Sequence, residues 1–206
     1  MKKQSVACLV ITTTLLGMFL TGCTTGAVRK DAKLYEPEFM TPKLKKQNLL
    51  GNPSFEDANS QAWAFGSWQA EPNAGKIALI KGHDGQVSNG VAFETDRPNV
   101  LWFKQTVQVK TKTKYLLSGW AKIENLTRRE AGMTGAILCI DAYDCSPTVM
   151  LGTKDWTYLS CVVDSGDRTV FEVKVQVGNW SSAASGKAWF DDICLIELPA
   201  LESTRK

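Results

Sequence analysis

"TVFEVKVQVG", residues 169–178, is the stretch that decides the fold. Phe171, Val173, Val175 and Val177 share one parity, and Glu172, Lys174 and Gln176 share the other. Successive side chains of an extended chain point to opposite faces. The segment therefore has one apolar and one wet face, as in an antiparallel sheet that covers a core on one side. Similar short runs closed by turn residues lie at 77–80, 91–95, 102–109, 115–123, 135–141, 156–164 and 188–198, and a short strand is expected at 54–56. No long helical period interrupts them. Many short strands at regular spacing specify an all-β sandwich or barrel.

The chain opens "MKKQSVACLVITTTLLGMFLTGC". Lys2 and Lys3 precede an apolar run over 6–20, shorter than the roughly 20 residues of a membrane span and suited to a secretory signal. The closing "LTGC" resembles the bacterial lipoprotein box, which implies that residues 1–22 are removed and that Cys23 carries the lipid, palmitate included. Multiple acyl chains anchor firmly. Thr24, rather than Asp, resembles the pattern of outer-membrane or surface sorting. The alternative is a plain cleaved signal with an incidental Cys. Residues 23–47 hold six basic residues, three acids and two prolines without a sustained period, and are expected to form a solvated tether. The basic "KLKK" in it is a further possible contact for anionic surfaces.

The remaining chain, 48–198 followed by a short tail at 199–206, suits one domain. Without Lys2 and Lys3 the 24 basic residues become 22, against 21 acids. No field of one sign is left to hold nucleic acid. Cys139 and Cys145 flank "IDAYD", a gap that one hairpin-like loop can close, so in an exported protein they are the expected disulfide. Cys161 and Cys194 leave two readings, a second bridge or two small buried hydrophobes.

Catalytic signals are missing. His83 is the only histidine, so one chain cannot supply a histidine metal cluster, and its "KGHDGQ" setting reads as a loop. There is no Gly-x-Ser-x-Gly elbow. "ETDRPN", residues 94–99, begins like the Glu-x-Asp of jelly-roll glucanases but lacks the further Glu. The adjacent acids Asp191 and Asp192 lie in a strand whose alternation sends them to opposite faces. Glycoside hydrolysis needs two carboxyls about 5–10 Å apart across one cleft.

Four motifs in order resemble carbohydrate-binding modules of the family 4 and family 9 type: "NLLGNPSFED" followed by Trp63, "FKQTVQVKTKTKYLLSGWAKIEN", "DWTYLSCVV", and "VQVGNWSSAASGKAWFDDICLIEL". Together they span nearly the whole of 48–198. The resemblance implies a galactose-binding-like jelly-roll β-sandwich. It also implies a structural calcium shared by Glu56 and Asp191, whose hard oxygens suit that ion; otherwise Asp191 only hydrogen-bonds loop backbone. Departures are the Cys139–Cys145 loop, Lys112-Thr113 where the family often has a Gly turn, and the absence of an attached enzyme.

Sugars present flat C–H faces that stack on indoles. Trp63, Trp120 and Trp156 match framework positions of the family and are expected to pack. Trp68, Trp102 and Trp180 fall in loops or at strand ends, where an exposed indole is costly unless a ligand meets it. Gln176, on the polar face of its strand, is placed to bond a sugar hydroxyl. Core burial, or cover by the tether, is the alternative for each. The expected protein is a non-catalytic, lipid-anchored surface module that holds poly- or oligosaccharide. The alternatives are an envelope lipoprotein that uses the sandwich for protein contact and, more distantly, a hydrolase with an unrecognised site.

Overall fold

The structure, a computed structural model, describes residues 35–129, 135–141, 144–146, 150–180 and 182–199. The signal segment, Cys23 and the tail from residue 200 lie outside them. Ten strands follow in order: β1 (Ala64–Ser67), β2 (Gly75–Lys81), β3 (Val87–Asn99), β4 (Leu101–Gln108), β5 (Lys114–Arg128), β6 (Ala136–Ile140), β7 (Asp144–Cys145), β8 (Gly152–Asp164), β9 (Val170–Val177) and β10 (Ala184–Glu197). They form two five-stranded antiparallel sheets, β1-β4-β9-β6-β7 and β2-β3-β10-β5-β8. This is the all-β sandwich the alternation implied. The inner parity of β9 is fully buried, with Phe171, Val173 and Val175 meeting Phe93, Leu117, Phe190 and Leu195 of the second sheet in one core. Each such side chain contributes about 1.5–3 kcal/mol by leaving water.

The structure differs from the sequence expectations in four places. Residues 54–56 are not a strand: a turn over 53–54, in which Phe55 N donates to Asn52 O (3.2 Å), leads into irregular chain, with Asn52 (φ 45°) and Phe55 (φ 59°) both in left-handed backbone. Phe55 is instead a buried plug, 5.3 Å from the Trp63 ring. β1 and β7, four and two residues long, are too short to show a period.

The third difference is the tether, which does not extend to residue 47. From Tyr35 the chain packs on the outer face of the second sheet, through a 3-10 turn (Pro37–Phe39) and a helical turn, α1 (Pro42–Lys45). Thr41 caps α1 by accepting from Leu44 N (3.3 Å). Tyr35, Phe39, Met40 and Leu44 cover Leu116, Cys194, Ile196 and Leu198. Prolines and lysines dominate the composition of this stretch, yet four well-spaced apolar residues suffice to clasp a sheet.

The fourth difference is at the aspartate pair. Asp192 has φ 50°, and the β10–β5 register shifts between Asp191 and Cys194. This bulge breaks the alternation, so both acids reach the same turn, as shown below.

Cys161 and Cys194 are free and buried on different faces, Cys161 in the interior and Cys194 beneath the N-terminal clasp. The second bridge is therefore not formed. Cys139 stands directly opposite Cys145 in the β6–β7 ladder.

Candidate ligand groove

The outward parity of the first sheet carries the expected site residues. One cross-strand row runs Gly66–Trp102–Gln176–Ile137 over β1, β4, β9 and β6. Gly66 is required here. A Cβ on it would stand 2.5 Å from the Trp102 ring, so the indole lies flat across the glycine. The Trp102 N–H meets no acceptor among the described residues. Beside it Gln176 is buried, and its carboxamide nitrogen donates to Gly178 O (2.6 Å). That bond orients the side chain, with the amide oxygen as its acceptor.

Two short segments raise the sides. Trp68 follows β1; its N–H donates to Val100 O (2.9 Å), and the Asn99 carboxamide bonds both Gln69 N (2.9 Å) and Gln69 O (3.0 Å). The β9–β10 turn is closed by Asn179 and Ser182, whose backbones exchange bonds of 3.0 and 3.1 Å. Gly178 (φ 71°) opens this turn, and a Cβ there would meet Asn99 O at 2.7 Å. The turn presents Trp180. Trp68 and Trp180 are 67% and 74% exposed, on backbone that is well pinned.

Together Trp68, Trp102, Gln176 and Trp180 line one groove of about 490 Å³ with Val100, Arg129, Asp141, Lys174, Asn179, Ser182 and Ala183. All four residues expected to contact sugar are thus brought together, from positions more than a hundred apart in the chain. Lys174 was missed although it shares the outward parity of Gln176. Gly66 and Asp141 had no local signal. The groove includes both the sheet face and the loop edge.

Asp191 and Asp192 lie on the other sheet, away from this groove. Asp192 accepts from Ser54 Oγ (2.6 Å), approaches His83 Nε2 (3.1 Å) and pairs with Lys45 (3.5 Å). Burial pushes its carboxyl up, but these partners outweigh burial and hold it below the usual carboxylate range. His83 stacks on Trp120 (4.5 Å, 8°) and meets the edge of Trp156 (6.5 Å). Asp191 Oδ1 accepts from Asp192 N (2.8 Å). Its Oδ2 faces the same β2–β3 turn, since a Cβ on Gly82 would stand 3.1 Å from it and 3.2 Å from Asp84 Oδ1 and Ser88 Oγ. Burial, reinforced by the Asp192 and Glu56 charges, pushes Asp191 up to about 6. Glu56 approaches the same hairpin through Asn89, which donates to its backbone O (3.1 Å). These oxygens suit a hard cation. No three His, Cys, Asp or Glu side chains gather into a metal cage among the described residues, so Ca²⁺ held here would need backbone carbonyls or water to complete its six to eight ligands.

No protein-family sequence model matches this chain, and no curated protein matches it. Solved structures do. TmCBM61, in complex with β-1,4-galactotriose, aligns with a TM-score of 0.54 at 18% identity, covering 73% of this chain and 99% of that one. The enzymatically active domain of bacteriophage CBA120 tailspike protein 4 aligns with a TM-score of 0.54 at 13% identity, covering 75% of this chain but 22% of its own length. A CBM4 structure aligns with a TM-score of 0.47 at 18% identity, over 72% of this chain and 99% of that one. The fold of this chain is the β-sandwich of carbohydrate-binding modules.

Proposed function

We propose that this protein is a non-catalytic, lipid-anchored glycan-binding module. One observation carries the proposal: Trp68, Trp102, Gln176 and Trp180 converge on a single groove with an indole laid flat at its base. Flat apolar platforms flanked by planar polar groups match a pyranose ring, which is apolar on its faces and hydroxylated at its rim. Asp141 is the only carboxylate among the described residues lining the groove, and Arg168 already engages it (2.9 Å). A glycosidase needs two carboxyls in one cleft.

The "LTGC" box supports acylation at Cys23 and attachment to the bacterial envelope, at the outer membrane or cell surface. The facing register of Cys139 and Cys145 supports a bridge that closes the β6–β7 hairpin. Asp191 Oδ2, which accepts no hydrogen bond among the described residues, and the nearby Glu56 support calcium, which would neutralise the carboxylates gathered at the β2–β3 turn.

The test is a glycan array with the wild-type chain and Trp102→Ala. The expected outcome is binding of at least one plant, algal, fungal or bacterial-envelope glycan by the wild type, and its loss in the variant with an unchanged melt. A folded wild type that binds no glycan below millimolar concentration would overturn the proposal. Protein contact through Trp68 and Trp180 would then move ahead.

A further inference from the structure

The N-terminal clasp and the groove lie at opposite poles of the sandwich, and β10 joins them. The strand begins at the groove: Ser182 and Ala183 line it, and Ala184 opens β10 opposite Arg128. It ends beneath the clasp, where Cys194 and Ile196 are covered. A strand rises about 3.3 Å per residue, so the 12 steps from Ala184 to Ile196 span roughly 35–40 Å, allowing for the bulge. The faces are opposite too. Trp102 and Gln176 point outward from the first sheet, whereas the clasp lies on the outer face of the second.

Specific bonds fix the chain at this pole. Asn48 Nδ2 donates to Ile193 O (2.9 Å), its Oδ1 accepts from Leu195 N (2.9 Å), and Leu49 N donates to Leu195 O (2.9 Å). At the start of the clasp, Ser160 Oγ accepts from Tyr35 N (3.3 Å) and donates to Tyr35 O (3.2 Å). Ser160 stands opposite Ser118 in the β5–β8 ladder, and Ser118 opposite Cys194 in the β10–β5 ladder. The clasp therefore starts and finishes at one level of the sheet, and the chain before Tyr35 departs from the pole remote from the groove.

Eleven residues, 24–34, separate Cys23 from Tyr35. Fully extended they reach about 40 Å, close to the distance from clasp to groove. Laying the groove on the membrane that holds Cys23 would lift Tyr35 by the length of the sandwich and draw this segment out to its limit, a loss of conformational entropy that opposes inversion. Without the clasp, the free segment would run over 24–47, and its reach of about 80 Å would permit either orientation.

We infer that the clasp fixes how the groove is presented: it holds the anchored end against the second sheet, so that the groove faces away from the chain's own membrane, toward glycan that lies beyond it. The inference rests on the proposed acylation of Cys23 and adds where the ligand is met.

The experiment measures energy transfer from a donor dye to an acceptor-labelled lipid in phosphatidylcholine vesicles carrying the acylated full chain. The dye is attached at Lys43→Cys in the clasp or at Ala70→Cys beside the groove; both positions are exposed, whereas the free Cys161 and Cys194 are buried. Transfer should be several-fold greater from position 43 than from position 70. Phe39→Ser combined with Leu44→Ser should release the clasp and bring that ratio toward one. The two singly labelled chains with an intact clasp decide the inference even if the double variant unfolds. Equal transfer from both positions, or greater transfer from position 70, overturns it. A ratio unchanged in a double variant that still folds overturns the role of the clasp. Absence of acyl mass on Cys23, with no attachment to vesicles, overturns the inference together with the anchoring proposal, and leaves glycan binding to the array.

Discussion

The two outer faces of the sandwich both carry aromatic side chains, and they treat them differently. On the second sheet Trp120 is roofed by the His83 ring, Trp156 donates to Lys81 O (3.1 Å), and the N-terminal clasp seals the apolar residues beside them. On the first sheet Trp102 lies on a glycine and Trp68 and Trp180 stand open. Aromatic content alone therefore does not mark a site. What marks it is that, among the described residues, the chain's own segments cover one face and leave the other uncovered, while pinning the backbone on either side of the gap.

Substitutions should separate the faces. The largest effect is expected on the covered one. Met40→Ala, in the clasp itself, should cost about 2–5 kcal/mol of stability and leave glycan affinity unchanged, as read by denaturant melts and titration. A loss within 0.5 kcal/mol would mean that the clasp is only loosely applied and that the contrast between the faces is weaker than described.

The aspartate pair at the β2–β3 turn should show a pH signature opposite in sign to that of Glu172 on the groove face. The Asp191 carboxyl is raised in the folded state, so between about pH 4 and 6 the native chain binds more protons than the unfolded one. Its contribution must therefore become less favourable as pH rises through that window, by up to about 3 kcal/mol. Asp192 and Glu172 are held low, so their contributions are lost only at lower pH. In chelator, melts should show greater stability at pH 5 than at pH 7, and Asp191→Asn should flatten the difference. Calcium should have the same flattening effect by stabilising the ionised form. No pH difference in chelator and no shift with calcium would remove both the buried charge and the metal.

On the open face the order reverses. Trp68→Ala and Trp180→Ala should alter stability by under about 0.5 kcal/mol while weakening glycan binding by about 2 kcal/mol, roughly thirtyfold. Trp63→Ala, against Phe55 in the core, is the matched control that loses stability whatever the ligand. If Trp68→Ala unfolded the chain, the exposed indole would be structural and the contrast would fail.

Much of this was legible in residues 169–178 and their relatives. The parity of Phe171, Val173 and Val175 named the core face, and the opposite parity placed Gln176 on the outward face. Trp68, Trp102 and Trp180, the three read as lying in loops or at strand ends, are the three that line the groove. The clasp was misread because composition was averaged over a stretch in which Tyr35, Phe39, Met40 and Leu44 are diluted by charge. The separation of Asp191 from Asp192 was misread because a bulge cancels the alternation on which it depended.

Sequence by itself determined what is set by local periodicity: strands, their buried and wet faces, and which aromatics have no packing duty. These follow from the two-residue repeat of an extended chain and need no partner. Tertiary structure alone decided the neighbours. Trp102 meets Gln176 and Gly66 because β4 lies between β1 and β9, and Trp68 and Trp180 line the same groove because the β1 and β9 ends emerge on the same edge. Such adjacency comes from pairing segments distant along the chain, where many registers satisfy the local pattern and only the packing of the whole core selects one.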